Sequence, residues 1–114
     1  MNFLIKLLLC EVGMYWDVKV VKPLSNYYIY VEIENGQKGI FDLKPYLDRG
    51  VFRELKDVNY FNQVYTLFGA VTWLNEQDIA PETLLANLIS LETISEKMAS
   101  ELGLKDAIAI SLNL

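Results

Sequence analysis

The sequence predicts an α+β domain in which antiparallel strands alternate with short helices. Three observations carry that prediction. Apolar side chains recur at every second residue over 27–34, Asn35-Gly36 follows at once, and from Phe52 onward the apolar spacing changes to three and four residues. The chain has 114 residues, 53% of them apolar and 22% charged, with only 6 Gly and 3 Pro. That composition belongs to one packed domain, and no linker, internal repeat or low-complexity tract divides it.

Taken in order, Trp16, Val18 and Val20 alternate with Asp17, Lys19 and Val21, a half-buried strand that Pro23 ends. In the second strand Tyr27, Ile29, Val31 and Ile33 form one face and Tyr28, Tyr30, Glu32 and Glu34 the other. A type I′ turn needs positive φ at both central residues, which Asn35-Gly36 suits, so residues 37–43 are the returning strand. Pro45 starts a short irregular or helical stretch stopped by Arg49-Gly50. Phe52, Leu55, Val58 and Phe61 then give helical spacing for a short helix or two turns. Residues 64–68 and 70–74, divided by Gly69, predict a second antiparallel pair carrying Trp73. Pro81 suits a first helical turn, with Leu84, Leu85 and Leu88 on one apolar face. Ser90 is the expected N-cap of a helix of about three turns. Leu91, Ile94, Met98 and Leu102 form its stripe, and Gly103 ends it. Beyond it Ile108, Ile110, Leu112 and Leu114 alternate as a final strand.

Charge and residue usage restrict the function. Fifteen acidic residues against ten basic ones leave a formal net charge of −5, so nucleic acid is an unfavourable partner and a small basic protein a favourable one. The absence of histidine removes the commonest general acid/base, the Ser-His and Cys-His nucleophile pairs and the usual zinc ligand. Glycines are too scattered for a phosphate loop, and Cys10 is single, which fits a reducing cytoplasm. No cofactor and no catalysis are therefore expected. Residues 3–10 form an apolar run interrupted only by Lys6, yet Glu11 follows without a cleavage pattern and the run is too short to span a bilayer. No membrane association is expected, cytoplasm is the expected location, and Met14 is the expected native start.

From Met14 to about Leu88 the order of features resembles a small bacterial family, domain-of-unknown-function family 2442. The matching residues are Val31-Glu32-Ile33-Glu34-Asn35-Gly36, Phe41-Asp42-Leu43, Gly50-Val51-Phe52-Arg53-Glu54-Leu55, Tyr60-Phe61, Gly69-Ala70-Val71-Thr72-Trp73 and Asp78-Ile79-Ala80-Pro81-Glu82-Thr83-Leu84. The resemblance implies a compact α+β domain with a small curved antiparallel sheet and short helices, without an established activity. It also implies a gene encoded beside another small domain, an arrangement similar to toxin–antitoxin pairs. The family usually has proline and then asparagine-glycine after its tryptophan, where this chain has Leu74-Asn75-Glu76, so a looser turn is expected there. Residues 14–89 are thus read as the family-like domain. Residues 1–13 are an N-terminal extension and 90–114 a C-terminal helix and strand outside the core.

Among candidate sites, Asp42 and Asp78 are the carboxylates within matching motifs, and a carboxylate pair serves acid/base work or a hard metal. Each is expected instead to cap a turn or helix start. Glu32 and Glu34 are expected on a solvated strand face, with Lys38 across the turn. Tyr28 and Tyr30 are candidate partner-binding residues opposite the core stripe, unless the C-terminal helix covers that face. Ile108, Ile110 and Leu112 are the other candidates, since a terminal strand adds readily to a neighbour's edge in a homodimer. The leading expectation is a non-catalytic interaction module, antitoxin-like and acidic. The alternatives are a small-ligand-binding domain or enzyme using Asp42 or Asp78, and a nucleic-acid-binding autoregulator.

Overall fold

The computed structural model describes residues 16–104. Strands β1 (Val18–Pro23), β2 (Tyr28–Ile33) and β3 (Lys38–Asp42) form an antiparallel meander, and β7 (Ile89–Ser90) adds to the far side of β3. A second antiparallel sheet contains β4 (Tyr65–Leu67), β5 (Ala70–Thr72) and β6 (Asp78–Ile79). With three short α-helices and several 3-10 turns in 18–104, the fold of the described residues is α+β, as the sequence predicts.

A bulge between Val18 and Val20 changes the parity of β1. Val18 and Val21 therefore both pack on the main core while Val20 packs on the opposite face, which simple alternation from Trp16 does not predict. The main core lies between the sheets, where Ile29, Val31 and Ile33 of β2 meet Phe41, Leu55, Phe61 and Trp73.

The β2–β3 turn is not type I′. Gly36 N donates to Ile33 O at 2.9 Å, Ile33 N donates to Gln37 O at 2.8 Å, and Gly36 alone in the loop has positive φ, +96°. This three-residue loop is a type I turn closed by a residue in the left-handed region. The same pattern recurs after the tryptophan: Glu76 N bonds Trp73 O, Trp73 N bonds Gln77 O, and Glu76 takes φ +77°. The turn is thus not looser, and Glu76 stands where the family has glycine. Left-handed backbone costs an L-residue roughly 1–2 kcal/mol, against roughly 0.5–1 kcal/mol of extra unfolded-state freedom for glycine. Glu76→Gly is expected to stabilise the protein by about 0.5–1 kcal/mol, read as a higher urea midpoint; a lower midpoint would contradict this.

Helical segments fill the gaps between strands. Residues Lys44–Tyr46 and Gly50–Lys56 form 3-10 turns, followed by α1 (Val58–Phe61), whose N-cap Asp57 accepts from Asn59 N. Buried Gln77 ties this region to the second sheet by accepting from Tyr60 Oη at 2.6 Å and donating to Val51 O at 2.8 Å. Helix α2 (Pro81–Ala86) carries proline in its first turn, and Ala80 precedes it without a side-chain cap.

The expected three-turn C-terminal helix is two pieces. Ser90 caps only the 3-10 turn Leu91–Thr93, after which Ile94 is extended and Ser95 caps α3 (Glu96–Leu102) by accepting from Met98 N. A serine at each start competes for the backbone, which divides the run. This segment lies on the outer face of the four-stranded sheet, forming a second core of Leu24, Tyr30, Ile40, Leu102 and Leu104. The N-terminal extension and the strand predicted over 108–114 lie outside the described residues.

Candidate functional site

Register and burial place each sequence-predicted residue. Tyr30 has no exposed surface and lies beneath the C-terminal segment, so it is not part of an exposed aromatic face; of the two expectations for that face, coverage is the one found. Tyr28 packs half-buried on the same cluster, with Lys44 Nζ 3.8 Å from its ring centre. Glu32 is also buried, at 6% exposure, which corrects its reading as a solvated residue. Its carboxylate accepts from Tyr30 Oη at 2.7 Å, and it stands opposite Lys38 in the register. Burial, reinforced by that carboxylate, raises the Tyr30 phenol far above its ordinary pKa. The candidates Ile108, Ile110 and Leu112 lie outside the described residues.

Asp42 sits at the end of β3, where its Oδ1 accepts from Lys44 N at 2.9 Å and pairs with Lys44 Nζ at 3.0 Å. That is the turn-capping role expected of it. Asp78 caps no helix; it lies exposed on β6 opposite Thr72, in the other sheet. Among the described residues, no group of three or more His, Cys, Asp or Glu is arranged to hold a metal ion.

A different surface emerges at the β4–β5 hairpin. Phe68 and Gly69 both have positive φ, +51° and +79°, so the type I′ turn predicted at Asn35-Gly36 occurs here instead. Phe68 is 95% exposed and Leu67 45%. A large aromatic in left-handed backbone and in water contributes nothing to packing, and such strain collects at functional positions. The tip is held to the first sheet by Val18 N donating to Gly69 O at 2.9 Å, with the Asp17 side chain against Gly69. Asp17 O accepts from Glu34 N, and Asp17, Glu82 and Trp16 line an adjoining apolar groove of about 400 Å³ with Pro81 and Leu85. The Asp17 side chain thus stands at the base of the aromatic tip, and Glu82 lines the groove that adjoins Asp17. Sequence reading passed over Phe68; its hint was an aromatic directly before glycine between two short strands, a turn position that favours Asn or Asp.

Against known families, the model for "Protein of unknown function (DUF2442)" matches residues 18–90, well over half of the chain. The chain belongs to DUF2442. Among curated proteins and among solved structures nothing matches it. The DUF2442 region contains both sheets, the Phe68 hairpin and the Glu76 turn, and it ends at Ser90, where β7 closes the first sheet. The outer-face cover from Leu91 onward is thus an addition to the DUF2442 region. No helix among the described residues is long and apolar enough to cross a membrane.

Proposed function

We propose that this DUF2442 protein is a non-catalytic interaction module, the acidic, antitoxin-like member of a two-protein pair, and that the Phe68 hairpin is its anchor for a small basic partner. The observation that carries this reading is the near-complete exposure of Phe68 in left-handed backbone, on a hairpin whose Gly69 has the Asp17 side chain against it and next to a groove that Asp17 and Glu82 line. An aromatic that inserts into a partner's pocket supplies affinity, while surrounding carboxylates speed encounter with a cationic surface and reject acidic ones. The net charge of −5 acts in the same sense at longer range.

Co-expression with the product of the adjacent gene tests the reading. A one-to-one complex is expected by light scattering, weakening as salt rises. Phe68→Ser is expected to reduce affinity at least ~30-fold, the scale of a central aromatic contact, while leaving thermal stability unchanged or slightly higher. Absence of a complex, or equal binding by Phe68→Ser, would refute the assignment.

A further inference from the structure

The first sheet's outer face carries a second pattern of recognition, independent of the hairpin. Leu24, Tyr30 and Ile40 make it apolar, and Leu102 and Leu104 seal it, with Met98 one helical turn before Leu102. The surrounding sheet residues carry three lysines against two carboxylates, Glu32 and Asp42, with Asp42 paired to Lys44 at 3.0 Å. Lys22 stands opposite Tyr30 and Lys38 opposite Glu32, directly paired positions that share a face, and Lys44 lies over Tyr28. The cover has the complementary sign: Glu92, Glu96 and Glu101 are exposed, against one lysine, Lys97.

The cover is also weakly attached. Helix α3 has seven residues, short of the length at which a helix holds in water by itself, and it follows a strand paired at only two positions. It begins after the end of the DUF2442 match, so the sheet beneath is the shared element and the cover the added one. We infer that the outer face is a docking surface for a short acidic amphipathic helix, and that residues 91–104 occupy it in cis until a partner's helix of the same chemistry displaces them. The segment's own fit states what the surface selects: apolar side chains four residues apart on the sheet side, with Glu92, Glu96 and Glu101 exposed.

The test uses the full chain and a labelled peptide with the sequence of residues 91–104. In cis the segment competes at an effective concentration on the order of millimolar, so the wild-type chain binds the peptide weakly. The double variant Met98→Asp, Leu102→Asp vacates the face and is expected to bind at least tenfold tighter. A peptide bearing Glu92→Lys, Glu96→Lys and Glu101→Lys is expected to bind the variant at least tenfold more weakly. Equal binding of both peptides by a folded variant, or binding of neither, overturns the inference. Should the double variant not fold, amide exchange of the wild-type chain decides: protection over 96–102 falls as peptide reaches millimolar concentration while β2 stays protected. Unchanged protection overturns the inference.

Discussion

Trp73→Ala is expected to cost about 3–5 kcal/mol, enough to leave a domain of this size largely unfolded. Trp73 has no exposed surface and stands between the sheets, its ring 5.9 Å from that of Phe61. Its indole Nε1 donates to Phe61 O at 2.9 Å, at the end of α1, a carbonyl that also accepts from Val64 N at 3.3 Å. Alanine removes both the ring and the shorter of the two hydrogen bonds to that carbonyl, leaving a cavity. Trp73→Phe separates the two effects, because it keeps most of the volume and is expected to lose about 0.5–1.5 kcal/mol through the missing hydrogen bond. Urea denaturation of the three proteins measures the series. A cost below about 1 kcal/mol for Trp73→Ala would mean that the sheets close over the gap.

The second large effect is expected at Gly39. A Cβ placed there would lie 2.4 Å from Ile89 O and 3.1 Å from Ile89 C. Both are backbone atoms of the paired strand, so no side chain can rotate away to make room. Gly39→Val is expected to break the β3–β7 pairing and cost about 1–3 kcal/mol, the scale of overpacking in a closed site. The damage is expected to be regional. Residues 89–104 should lose amide protection while β1 and β2 keep theirs, because β7 is where the cover joins the sheet. A Gly39→Val protein with unchanged exchange over 89–104 would show that β7 does not hold the cover in place.

Much of the architecture was legible in the residue pattern, and the omissions have physical reasons. Strands β2 and β3 announced themselves because one of their faces meets the core, which imposes period two. Strand β7 did not, since two residues are too few to show any period. The parity of β1 depended on a bulge that alternation cannot reveal. One hairpin turn was read from the dipeptide Asn35-Gly36 and the other from Gly69 alone, yet loop length decided them: three residues at Gly36 demand one left-handed residue, while two at Phe68-Gly69 demand a pair. At the candidate sites, Asp42 was readable because its role is local, an acceptor two residues from its donor. Glu32 was misread because its burial comes from tertiary packing, which strand alternation does not report. Tyr30 offered two readings for the same reason, and only the position of residues 91–104 chose between them.

The division into two sheets bears on which of their margins are open to strand addition. Each sheet has at one margin a strand of only two residues, β7 in one and β6 in the other, too short to template another chain. The longer margin, β1, is met by β4, and Val18 N finds its acceptor on the neighbouring hairpin at Gly69. Little exposed main chain therefore invites ladder growth at these margins. Strand addition at these margins is disfavoured, and what the exposed Phe68 meets is decided by side-chain fit rather than by main-chain pairing.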